Sequence, residues 1–185
     1  AEQLLKIGFD KTLDFPISMS SSQFGEDNKF SSEVQLADSG YGQGQILVNP
    51  LHVASIYSAF VNDGNAIKPY IEYGDETEYM IENAFTKESA EEIREDLIQV
   101  VENSNGTGHE AQINGVTIAG KTGTAELKAS KDEEGEELGW FNAIVISDDE
   151  NEQLLTINMI ENVEDRGGSH YLLPIVKNII EGYIS

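Results

Sequence analysis

The sequence predicts an α+β fold in which antiparallel strands are flanked by helices. Three observations carry this. Residues 116–126, 138–146 and 153–160 are rich in β-branched, aromatic and aliphatic side chains, which suit pleated, half-buried surfaces. The link between the last two runs is hairpin-length, so those strands pair antiparallel without a crossover helix. Helical patterns come before the first strand and after the last, not in βαβ alternation.

Length and composition bound the rest. At 185 residues the chain is long enough for one domain with a real core, and 39% hydrophobic residues argue against disorder. Eleven basic against 34 acidic residues give a formal net charge of −23. Such a surface repels phosphate backbones and anionic lipid, which argues against nucleic acid as a partner. Without cysteine there are neither disulfides nor thiolate metal sites, and no cofactor is expected. No apolar run approaches membrane-spanning length, and no signal-peptide pattern opens the chain.

In chain order, Leu4, Leu5 and Ile7 read as the end of a helix face that Gly8 stops. Residues 18–39 read as loop, through Ser20-Ser21-Ser22, Glu26-Asp27-Asn28 and Ser31-Ser32. Ser39 to Gln45 is a glycine-rich turn. It is either a tight connection or a cleft wall, and Tyr41, Gln43 and Gly44 are its candidate ligand-facing residues. Asn49-Pro50 starts a helix, since Asn caps and Pro fits the first helical position. Leu51, Ala54, Ile56, Tyr57 and Phe60 supply its apolar stripe, and His52 reads as a surface or packing residue. Lys68-Pro69 with Tyr70 to Tyr73 suggests a short extended segment. Thr86 caps a helix over 87–102 whose buried face is Ile93, Leu97, Val100 and Val101. The acidic run 131–137 reads as a solvated hairpin loop and lacks the spacing of a calcium loop. The last helix spans about 171–183, with Leu172, Leu173, Ile175, Val176, Ile179 and Ile180 apolar and Pro174 in its first turn.

Residues 115–126 support competing readings. Gly115, Gly120, Lys121 and Thr122 match the phosphate-loop pattern G-x-x-x-x-G-K-[ST]. Lys121-Thr122-Gly123 matches the Lys-Thr-Gly strand of penicillin-interacting serine enzymes. A plain core strand kinked at glycine is the bland alternative. The β-branched Val116, Thr117 and Ile118 favour a strand, and a phosphate loop needs a parallel architecture that the last hairpin denies.

Taken in order, several stretches resemble the C-terminal portion of a penicillin-binding protein transpeptidase domain. They are Gly42-Gln43-Gly44 with Asn49-Pro50-Leu51, Ala59 to Gly64 with Lys68-Pro69, and Gly106-Thr107-Gly108 with Ala111. Ala119 to Ala125, Gly139-Trp140-Phe141, and Gly167-Gly168 with Pro174 follow. The wording of 39–44, 49–50 and 120–128 is most similar to the low-affinity, methicillin-resistance type of class B protein in Gram-positive bacteria. The resemblance implies the penicillin-binding/β-lactamase-like fold and a membrane-anchored protein at the outer face of the bacterial cytoplasmic membrane. It implies acyl transfer from the D-Ala-D-Ala end of a peptidoglycan stem peptide through a serine acyl-enzyme that β-lactams also form. It further implies that Lys121 supplies positive potential, Thr122 and Thr124 bind the substrate carboxylate, and Gly123 leaves room for the ligand. The Thr124 N–H then forms half of an oxyanion hole.

Two family motifs are absent. No lysine has serine three positions earlier, and no asparagine has serine two positions earlier. The expectation is a single partial domain over 1–185 whose Ser-x-x-Lys nucleophile and Ser-x-Asn motif lie upstream. No catalytic nucleophile or base is then expected here, and the chain alone should be inactive. The missing N-terminal half is an expected partner, and core left uncovered by it could drive a homodimer. A β-lactam sensor domain of a membrane receptor is the alternative from another class.

Overall fold

The structure, a computed structural model, describes residues 1–72, 76–127, 135–149 and 152–185. The chain forms two compact units, Ala1–Glu91 and Glu92–Ser185.

The second unit is built on an antiparallel sheet. Strands β3 (Thr117–Leu127), β4 (Glu136–Ile146) and β5 (Leu154–Glu161) lie in the order β3-β4-β5. This is the expected meander. In its register Thr122 is opposite Phe141, and Phe141 is opposite Asn158. One face of the sheet presents Ile118, Phe141, Ala143 and Val145. Helix α5 (Leu173–Ile184) covers that face with Leu173, Val176 and Ile180, and Leu172 precedes them in a 3-10 turn, Gly168–Leu172. Each such fully buried large side chain contributes about 1.5–3 kcal/mol. Ile175 and Ile179, expected in the same stripe, are exposed because the helix buries residues on the side of 173, 176 and 180.

Helix α4 (Lys87–Glu102) has the expected bounds, and Thr86 Oγ1 accepts from the Ser89 N–H at 3.2 Å. Ala90, Leu97 and Val101 are its fully buried residues, whereas Ile93 and Val100 are half-buried. Of the acidic run, 131–134 lie outside the described residues, as does Tyr73 of the expected extended segment. Glu136 and Glu137 belong to β4, not to a loop, because the ladder with β3 extends to Leu127↔Glu136.

The first unit holds α1 (Glu2–Lys6), α2 (Glu33–Ser39), α3 (Pro50–Ser58) and a two-stranded sheet, β1 (Ala66–Ile67) with β2 (Tyr79–Ile81). Three expectations change here. Helix α2 replaces the end of the expected loop. Ser32 caps it by accepting from the Gln35 N–H at 3.1 Å, and only Gln35 is buried, so no apolar stripe announces it. The expected extended segment at 68–72 is not a named strand: β1 ends at Ile67, the Lys68 N–H still donates to the Glu78 carbonyl at 2.8 Å, and Pro69 has no N–H to continue the ladder.

Helix α3 starts as expected, with Asn49 Oδ1 accepting from the Leu51 N–H at 2.9 Å. Its buried face, however, is His52, Ser55 and Ser58; of the expected stripe Phe60, just past the helix, is buried, whereas Leu51, Ala54, Ile56 and Tyr57 are only half-buried. Hydrogen bonding explains the inversion. The Ser55 hydroxyl donates to the Ile67 carbonyl, and Ser58 Oγ accepts from the Ile67 N–H at 2.9 Å. The two serines thus satisfy both backbone groups of a strand residue. His52 Nε2 donates to the Ile7 carbonyl at 2.8 Å, which leaves Nδ1 to accept from the Ser22 hydroxyl at 2.7 Å. Ser22 Oγ in turn accepts from the Asn49 N–H at 2.9 Å. His52 is therefore a packing residue, as one of its two expected roles had it. Burial pushes its pKa below the ordinary 6.5, against the bond to Ile7.

Candidate functional site

The Lys-Thr-Gly-Thr run lies within β3, in the sheet unit. Its conformation is extended throughout, and no helix follows it directly. A phosphate loop needs a bend of converging N–H groups, so this geometry removes that reading. Among the described residues β3 is an edge strand of its sheet, so one side of its backbone has no neighbouring strand.

The period of two places Ile118, Gly120, Thr122 and Thr124 on one face and Lys121 and Gly123 on the other. Lys121 is exposed and its Nζ donates to the Thr122 carbonyl at 2.7 Å, so that carbonyl faces away from β4. By the antiparallel pattern the backbone of Thr124 faces the same edge. No carboxylate pairs with Lys121 among the described residues, so its charge is available to a ligand anion. Gly123 is open: a Cβ there would come no nearer than 3.7 Å to Trp140 Cβ.

The hydroxyls are held from the other face. Thr122 is buried, and its Oγ1 lies 2.7 Å from Thr107 Oγ1. Thr124 is exposed, and its Oγ1 accepts from the buried Ser169 N–H at 3.2 Å. Gly120 explains how the strand comes close enough. A Cβ there would lie 2.9 Å from both Phe141 and Val101, so only glycine fits.

Sequence reasoning missed three neighbours. Thr107 entered only as part of a family wording, although a threonine between two glycines just before a strand was a usable signal. Ser169 contributes through its backbone, which no side-chain pattern reveals. Asn142 sits directly opposite Lys121, is nearly fully buried, and its Oδ1 has no hydrogen-bond partner among the described residues. Nothing in a strand of apolar residues marks that position beyond the polar residue itself.

Tyr41, Gln43 and Gly44 lie in the other unit, in the turn after α2. Gly42 and Gly44 take φ of +81° and +73°. The Gln43 N–H donates to the Asp38 carbonyl at 3.0 Å, and Tyr41 Oη donates to Asp38 Oδ1 at 2.8 Å. That bond holds the phenolic proton and raises the Tyr41 pKa. The Tyr41 ring is 70% exposed. Among the described residues no group of three or more His, Asp or Glu side chains could hold a metal ion.

The family model for the penicillin binding protein transpeptidase domain matches residues 1–181. Penicillin-binding protein 3 of Bacillus subtilis is 42% identical over 177 residues, 94% of this chain and 26% of that protein. A peptidoglycan D,D-transpeptidase FtsI homolog from Mesostigma viride is 27% identical over 195 residues, 92% of this chain and 32% of that protein. The crystal structure of the D,D-transpeptidase domain of a peptidoglycan glycosyltransferase from Eggerthella lenta superposes with a TM-score of 0.72 at 25% identity. That match covers 98% of this chain and 47% of the solved one. The chain therefore spans about a quarter to a third of the relatives and about half of the solved domain. With the Lys-Thr-Gly run on an exposed strand edge and the family model matching nearly every residue, this chain belongs to the penicillin-binding protein transpeptidase domain family.

Proposed function

We propose that the chain is the carboxylate-binding part of a peptidoglycan D,D-transpeptidase domain. One observation carries this: edge strand β3 carries an ammonium, Lys121, whose Nζ lies at the Thr122 carbonyl, directly beside the hydroxyl-bearing Thr122 and Thr124. A stem peptide ending in D-Ala-D-Ala presents a carboxylate, and a cation with hydroxyl donors is its chemical complement. The Thr124 N–H at the same edge is placed to stabilise charge on the scissile carbonyl oxygen.

The reaction itself needs a serine from upstream. Its oxygen bonds to the penultimate D-Ala carbonyl carbon, the peptide C–N bond breaks, and the terminal D-Ala leaves with a proton on its nitrogen. An amine of a neighbouring stem then attacks the ester, forming the cross-link and returning a proton to the serine. The absence of Ser-x-x-Lys and Ser-x-Asn here supports placing the nucleophile in an upstream part of the same domain. The names of the relatives favour turnover over a receptor's sensor domain. The whole protein is then a membrane-anchored cell-wall enzyme that also takes β-lactams. Among the described residues no helix is long and apolar enough to cross a membrane.

The test is intact-mass analysis of a chain extended upstream into its native coding sequence, after incubation with benzylpenicillin. A one-to-one adduct is expected, absent from the 185-residue chain. Lys121→Ala should slow acylation roughly ten- to hundredfold, the range for a lost hydrogen bond to a charged group. An extended, folded chain containing Ser-x-x-Lys that never acylates, even at high drug concentration, would overturn the assignment.

A further inference from the structure

Thr107 stands outside the Lys-Thr-Gly-Thr run, in the connection between α4 and β3, yet its Oγ1 lies 2.7 Å from Thr122 Oγ1. A hydroxyl has one proton to give and an oxygen that accepts. A Thr122 that gives its proton to a ligand carboxylate cannot also donate to Thr107. The bond between them must then be donated by Thr107. We propose that Thr107 is a positioning residue for carboxylate binding. It donates to Thr122 Oγ1, fixes that side chain's rotation, and leaves the Thr122 proton directed at the ligand. Hydrogen bonds in such a chain polarise one another, so the Thr122 donor is also strengthened.

The connection is built to hold Thr107 there. The Gly106 N–H donates to the Asn103 carbonyl at 2.8 Å and the Gly108 N–H to the Val100 carbonyl at 3.0 Å. A Cβ on Gly106 would lie 2.2 Å from the Val100 oxygen, so any other residue would push the loop off the end of α4. His109 Nδ1 lies 3.0 Å from the Val101 carbonyl, and Lys177 Nζ donates to the Gln112 carbonyl at 2.7 Å. Both ends of the connection are thereby fixed to helices. Thr107 itself is exposed while Thr122 is buried, so Thr107 can be altered with little effect on packing.

This inference rests on the carboxylate-binding reading above, and one experiment separates the two. The upstream-extended protein is acylated with benzylpenicillin and with its methyl ester, and the second-order rate constants are compared. Thr107→Val should slow benzylpenicillin roughly five- to tenfold and the ester less than about twofold, as loss of one neutral hydrogen bond felt only by a carboxylate predicts. Thr107→Ser should restore the carboxylate preference, and Thr107→Ala serves in place of Val if that variant does not fold. An equal slowing of both ligands, or none, while Lys121→Ala and Thr122→Val abolish the preference, would overturn the role of Thr107 alone. Loss of preference in none of the variants would overturn both readings.

Discussion

The two units bury different chemistry. In Glu92–Ser185 the buried side chains beneath the sheet are Ile118, Phe141, Val145, Leu173, Val176 and Ile180, packed on α5. In Ala1–Glu91 the buried apolar side chains include Phe9, Phe24 and Phe60 with the small Ala59, Ala66 and Ala84. Beside them this unit also buries a hydrogen-bonded set, His52 with Ser22, Ile7 and Asn49, and Ser55 and Ser58 with Ile67. Apolar packing is non-directional and indifferent to pH. A buried polar set holds only while every member keeps its partner and its protonation state. The difference bears on how the sheet unit holds its edge strand. Its core secures β3 from one face and leaves the other side of the strand to Lys121.

Three measurements can break or sharpen that contrast. The largest effect is expected for Phe141→Ala, which opens a cavity beneath β4 beside Val101 and Gly120. It should lower unfolding free energy by about 3–5 kcal/mol in denaturant titration. A loss under about 1 kcal/mol would mean that the sheet core is not the principal apolar store. Next is Ser22→Ala, which leaves His52 Nδ1 without its donor and the Asn49 N–H without its acceptor. The expected destabilisation is about 1–3 kcal/mol. A neutral result would show that water replaces Ser22 and that the set is not tightly closed.

The smallest effect is that of pH. His52 is held neutral, with its folded pKa below 6.5. The folded state therefore binds fewer protons than the unfolded state in the window just below 6.5. The stability His52 contributes is present above that value and is lost as pH falls toward the folded pKa. Amide hydrogen exchange should show α3 losing protection on acidification below pH 6.5, with β4 unchanged by this group. Equal loss in both elements would indicate a different titrating group.

The candidate site was legible in the sequence to the extent that it is local. Lys121 to Thr124 could be placed on a strand from the β-branched residues before them, and the period of two put Thr122 and Thr124 on one face. What could not be read was what each hydroxyl touches. Thr107 is fifteen positions from Thr122 along the chain and Ser169 forty-five from Thr124. Pairings at such separations depend on how the connection and the final turn fold back.

The same division runs through the fold. Helix α4 was delimited by Thr86 and by the Asn103 to Gly106 stop, and the meander by its turns, because caps, turns and periodicity act over a few residues. The buried face of α3 was decided only in three dimensions. Its aliphatic side chains suggested one face, yet Ile67 and Ile7 present backbone groups to the other, where two serines and a histidine can satisfy them. An unpaired buried N–H or C=O is costly, so hydrogen bonding overrode the apolar stripe. The sequence alone thus determined the three-stranded meander, the capped starts of α3 and α4, and the family motif. Tertiary structure decided which polar side chains are buried, because only there do the distant backbone groups that need them come within reach.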